Sequence, residues 1–121
     1  MPVFAVTAPH LTPDQHYELE SLLMEAPDTD AFFTEEGSLG TEVTCEPGAL
    51  PVIVAIVYKW AAAHERGQSL VHFNCPGGAT AAVADHTPPE VVAFLATCGE
   101  DPADLRGLTK RLADDGVHEG R

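Results

Sequence analysis

The stretch Ala49-Leu50-Pro51-Val52-Ile53-Val54-Ala55-Ile56-Val57-Tyr58-Lys59-Trp60-Ala61-Ala62-Ala63-His64-Glu65-Arg66 decides the fold. Its valines and isoleucines favour a strand locally, but the apolar run is too long for a normal strand, and Gly67 supplies a helix stop. Pro51 falls in the first turn, where a missing N–H costs no helical bond. The stretch therefore predicts a helix over 49–66. Apolar residues occupy every side of its first turns, so it is expected to be largely buried. Lys59, His64, Glu65 and Arg66 mark its re-emergence into solvent. Tyr58 and Trp60 are expected to pack in the core, with an interface anchor as the alternative.

Downstream, Ser69 to Cys75 and Ala79 to Ala84 flank Pro76-Gly77-Gly78, a strong hairpin pattern. Alternation places Val71, Phe73 and Cys75 on one face and Leu70, His72 and Asn74 on the other. Thr87-Pro88-Pro89-Glu90 then carries a cap, a first-turn proline and a capping-box glutamate. Val91, Val92 and Leu95 form its apolar stripe. A last helix is expected from Asp101, with Leu105, Leu108 and Leu112 inward and Lys110 and Arg111 near its C-terminus, as the dipole favours.

Upstream, Val3 to Ala8 reads as a strand stopped by Pro9. Thr12-Pro13-Asp14-Gln15 starts a helix with Leu19, Leu22, Leu23 and Ala26 on one face and Asp14, Glu18 and Glu25 on the other. Ala31–Thr34 and Thr41–Cys45 are strand candidates around Glu35-Glu36-Gly37-Ser38, and either a hairpin or a loop satisfies that pattern. The expected architecture is a single α+β domain over residues 1–121. It has two layers, a mostly antiparallel sheet of roughly four or five strands packed with about four helices, and the 49–66 helix at its centre. Residues 115–121 are polar and expected to fray.

Charge is distributed unevenly. No lysine or arginine precedes Lys59, whereas residues 1–58 hold ten carboxylates, so the formal charge of −13 divides into −10 and −3. Such a half repels nucleic-acid phosphates and anionic lipid, and attracts basic protein surfaces. The opening Met1-Pro2-Val3-Phe4 lacks a basic, apolar leader pattern. The run Leu50–Tyr58 is far short of the ~20 residues that span a bilayer. A soluble cytoplasmic protein is the expectation, with no membrane and no direct nucleic-acid partner.

Three widely spaced cysteines, Cys45, Cys75 and Cys98, form no C-x-x-C pair and are expected to be reduced, structural thiols. His72 and Cys75 with Asp85-His86 are the nearest approach to a metal or nucleophile cluster. On a strand, however, His72 and Cys75 point to opposite faces, and four convergent zinc ligands are not in view. Cys98 lies near a helix C-terminus, which disfavours a thiolate. Pro76-Gly77-Gly78 lacks the lysine and the following helix of a phosphate loop. Paired acids such as Glu35-Glu36, or Glu18 with Glu25, read as solvated surface. The residues thus point to no catalytic group, cofactor or metal.

The segment from Val54 to Thr97 resembles the effector-associated constant component family of bacterial conflict systems. The resemblance rests on the aliphatic helix ending in Trp60 and Ala61 to Arg66, then Leu70-Val71-His72-Phe73 and the Pro76-Gly77-Gly78 turn. Ala79 to Ala84 and the helix with Val91, Val92 and Leu95 complete it. The family's Pro-Asp-Gly-like turn and richer arginine content differ from this chain. The resemblance implies a non-catalytic adaptor working beside separate effector proteins in a defence system, and it carries over no active-site residue.

The functional expectation is a small acidic, non-enzymatic interaction module. Its partner is another protein with a basic surface, met through the acidic N-terminal half or the sheet edge, with Glu35, Glu36 and Glu42 as contacts. Self-association is left open. One alternative is an acidic inhibitor of a nucleic-acid-handling protein, either an immunity protein or a DNA mimic. Another is a small enzyme or ligand-binding domain using His72 and His86 in a pocket.

Overall fold

Five strands, β1 (Val3–Thr7), β2 (Thr29–Thr34), β3 (Gly40–Cys45), β4 (His72–Asn74) and β5 (Thr80–Ala82), form one antiparallel sheet in the order β2-β3-β1-β4-β5. The helices α1 (Pro13–Met24), α2 (Leu50–Ala63) and α3 (Pro88–Leu95) complete an α+β fold. These elements come from a computed structural model, which describes residues 2–8, 10–34, 40–64 and 71–98. The expected fourth helix over 101–112, the tail 115–121 and Glu65, Arg66, Gly67 and Leu70 lie outside the described residues.

Strand alternation sets the layers. Phe4 and Val6 of β1, Ala31 of β2, Val43 of β3 and Phe73 of β4 share one buried cluster with Leu19 and Leu23 of α1, Ile53, Val54, Val57 and Trp60 of α2, and Val91 and Leu95 of α3. The helices therefore cover one face of the sheet. The opposite face is also buried at its centre: Val3 and Ala5 are fully enclosed, and Thr7 and Asn74 nearly so. The Asn74 amide donates to Thr7 Oγ1 at 2.9 Å and to the Ala5 carbonyl at 3.3 Å, which satisfies a polar group in the sheet interior.

The local punctuation works as the residues dictate. Thr12 Oγ1 accepts from Gln15 N at 3.3 Å, while Gln15 Oε1 accepts from Thr12 N at 2.9 Å, a reciprocal capping box. At α3 the Glu90 carboxylate accepts from Thr87 N at 2.7 Å. In the β4–β5 hairpin Gly78 N donates to Cys75 O at 3.0 Å and Cys75 N to Ala79 O at 2.8 Å. Gly78 takes φ 104°, which a side chain would strain, so glycine completes this turn. The hairpin is shorter than expected, because a 3-10 turn over Val83–Asp85 follows β5 at once. β2 and β3 pair antiparallel with Ala31 opposite Val43 and Phe33 opposite Thr41, which decides the open choice in favour of pairing.

Three expectations are corrected. Helix α2 is less buried than expected: Pro51, Val52 and Ala55 are exposed and Ile56 is half-buried, while Lys59 is exposed as its charge implied. A helix lying on a sheet buries one side only, and no third layer covers the other among the described residues. Leu22, expected inward, is 37 % exposed, at the edge of the α1 stripe. Finally, Cys75 and Cys98 are not separate thiols. They form a disulfide with Cα atoms 5.1 Å apart, which ties the hairpin turn to the end of α3. A sequence separation of 23 gave no local sign of that proximity.

Candidate functional site

Helices α1 and α2 meet through a chain of polar contacts. The Gln15 amide nitrogen donates to His64 Nδ1 at 3.2 Å, which leaves the proton on Nε2 to bond Glu18 Oε1, also at 3.2 Å. The Trp60 indole donates to the Gln15 carbonyl at 3.0 Å and meets the His64 ring edge-on. Both nitrogens of His64 are engaged, so it acts as a tie between helices, with no lone pair left for a general base. Beside it, Glu18, Leu22, Ile56, Lys59, Trp60 and Ala63 line a cleft of about 290 Å³.

His16, the residue after Gln15 in α1, is fully buried. Its ring stacks on Phe33, with centroids 5.0 Å apart and planes at 10°. Nε2 donates to the Ala8 carbonyl at 2.8 Å, and Nδ1 has no hydrogen-bond partner. Burial pushes its pKa below the ordinary 6.5, with the Ala8 carbonyl opposing and His10 adding to the fall.

Of the expected contact residues, Glu42 sits on β3, partly exposed, directly opposite Phe32 of β2 on one side and Ala5 of β1 on the other. Glu35 and Glu36 lie outside the described residues. Phe32 is the most exposed large apolar side chain described, at 65 %. Because Phe33 faces α1, alternation points Phe32, its neighbour Asp30 and the cross-strand Glu42 away from the helices. An exposed aromatic ring thus stands among carboxylates on the outer sheet face. The hydrogen-bonding rim of β2 is closed instead. Phe33 N donates to Glu20 Oε2 at 2.6 Å, and Ala31 N to Met24 Sδ at 3.3 Å.

Among the described residues, His72 does not line the groove that His86 lines. His72 is half-buried on β4, opposite Ala82. His86 follows β5 and lines a groove of about 470 Å³ with Thr80, Ala81, Glu90, Phe94 and Thr97. The His86 carbonyl accepts from Tyr58 Oη at 2.6 Å. Burial, then the nearby Glu90 charge, pushes the Tyr58 pKa up. Hydrogen bonds from the Thr87 backbone and side chain hold the Glu90 carboxyl below its ordinary value. Cys75 is bonded to Cys98, so it serves neither as nucleophile nor as thiolate ligand in this state. Among the described residues no three His, Cys, Asp or Glu side chains converge as metal ligands.

Sequence reasoning missed His16, Gln15 and His64. A signal existed for the first: His16, Leu19 and Leu23 follow i, i+3, i+7 spacing on the buried stripe. None existed for the pairing of Gln15 with a histidine 49 positions away. Compared with known proteins, the chain matches no family model, no curated protein and no solved structure.

Proposed function

We propose that the protein is a small acidic interaction module that binds a basic surface on another protein and makes or breaks no covalent bond. The observation that carries this reading is the Phe32 side chain, exposed on the outer sheet face between Asp30 and Glu42. An aromatic anchor flanked by like charges combines apolar fixation with electrostatic steering. Lys59 is the one lysine or arginine among the described residues, so acidic side chains dominate the charge of that part of the chain. Backbone strand addition is not the mode at β2, since Glu20 and Met24 occupy its outward donors. Glu42 contributes steering from β3, and Glu35 and Glu36 are assigned the same role on their charge. An adaptor role in a bacterial defence system is the biological form of this reading that the family resemblance favours.

We place the protein's work in the cytoplasm, away from membranes. No helix among the described residues is long and apolar enough to cross one. A reducing compartment favours thiols over the Cys75–Cys98 bond, so finding that bond intact in cells would count against this placement.

The test is affinity capture of the partner from the native host at low and at high salt, with wild type and F32E as baits. A basic protein retained by wild type, released by salt and lost with F32E is the expected result. Equal retention by F32E, or binding indifferent to salt, would refute the reading.

A further inference from the structure

The outward side of α2 is an apolar floor between acidic banks. Val52, 43 % exposed, Ala55, half-buried Ile56 and Ala63 recur along the helix at i, i+3/i+4 and i+11 spacing, with Lys59 among them. Ile56 and Lys59 form a ridge with a groove on each side. One, about 400 Å³, is lined by Pro51, Val52 and Ala55; the other is the 290 Å³ cleft completed by Leu22 and Trp60. A ridge between two grooves is the relief into which the side-chain rows of a second helix fit. The alanines let a backbone come close. On one bank α1 presents exposed Glu18, which lines the cleft, and exposed Glu25; on the other, exposed Glu90 at the start of α3 lies near Tyr58 of α2.

We infer that this face receives an amphipathic helix from a protein partner, with an apolar stripe seated along Val52, Ala55 and Ile56 and lysines or arginines on both flanks. Helix α2 runs 14 residues, roughly 21 Å, enough to seat about four turns. Charge complementarity selects this occupant. A second copy of the chain brings its own −13 and sets acidic bank against acidic bank, and an anionic membrane meets the same repulsion. Lys59 calls for one acidic residue at the middle of the incoming stripe. The site goes beyond the Phe32 surface, because the two lie on opposite sides of the sheet.

Fluorescence anisotropy with designed helices tests the inference. The probe is a labelled peptide of roughly 18 residues, with leucines at i, i+3, i+4 and i+7 and lysines on the flanks. Its partners in the experiment are the same leucines flanked by glutamates and a scrambled lysine–leucine peptide. The basic amphipathic peptide binds and the other two do not. V52E and A55E, at solvent-exposed positions where circular dichroism confirms folding, each weaken that binding about tenfold or more, whereas F32E leaves it unchanged. Equal binding of the scrambled peptide, or unaltered affinity in V52E and A55E, overturns the inference. So does self-association of the wild type that V52E abolishes, which would assign the face to a second copy. Peptide binding that is sensitive to V52E while F32E retains the host partner would refute the sheet-face reading and leave this one standing. The converse pattern would do the reverse.

Discussion

The carboxylate of Glu20 in α1 accepts the backbone N–H of Phe33 in edge strand β2 at 2.6 Å, so a helix side chain plugs the outer rim of the sheet. An unpaired strand rim is a template for another chain, and natural proteins block such rims with charge or cover. Removing the acceptor strands a part-buried donor, at a cost of about 1–2 kcal/mol. E20A should therefore lower the unfolding free energy by that amount, read from a lower urea midpoint, and raise the rate of thioflavin-positive aggregation at elevated temperature. E20Q retains an acceptor and should fall between E20A and wild type. If E20A aggregates no faster than wild type, the plug is not what protects the rim.

The buried imidazole of His16 makes folding pH-dependent in a definite direction. Burial holds its folded pKa below the ordinary 6.5, so between the two values the unfolded chain binds the extra proton. Stability is then fully present above about 6.5 and is lost as pH falls through the folded pKa. Protonation would also place an N–H on Nδ1, which has no acceptor. Urea unfolding at about pH 7.5 and about pH 5.5 should show wild type losing more stability on acidification than H16Q, which carries no titrating ring. An identical loss in both proteins would assign the effect to other groups.

The bond between Cys75 and Cys98 closes a loop of sequence separation 23, which is worth about 3 kcal/mol by chain-entropy reasoning. C98A should lose stability of that order, and reductant should destabilise wild type while leaving C98A unchanged. Thiol titration in denaturant should find one free thiol before reduction and three after. That one is Cys45, whose pKa is pushed up to about 11 by burial and then by Glu46. In the native protein it should resist iodoacetamide at mildly alkaline pH. Three thiols without reductant would show that the bond is absent from the purified protein.

Much of the scaffold was legible because its signals are local. The Thr12–Gln15 box, the Thr87–Glu90 pair with its prolines and the Pro76-Gly77-Gly78 turn act over a few residues, and each appears where it was expected. Period-2 alternation put Val71, Phe73 and Cys75 on one face, and all three are buried. The surfaces now assigned to binding were less legible. Composition flagged the carboxylates but could not say that Phe32 would stand exposed among them. Periodicity failed on α2, since a sequence apolar on every side carries no mark of which side will meet solvent.

Alone, then, the sequence determined the kinds of element, the capped starts of α1 and α3, the acidic character and the alternation of the strands, all properties settled within a turn or a strand of the residue concerned. Tertiary structure alone decided the strand order β2-β3-β1-β4-β5, the Gln15–His64–Glu18 tie, the Cys75–Cys98 bond and the bare apolar flank of α2. Those features join or separate residues distant along the chain. Their positions follow from how layers with one sticky face stack, which no short window of residues encodes.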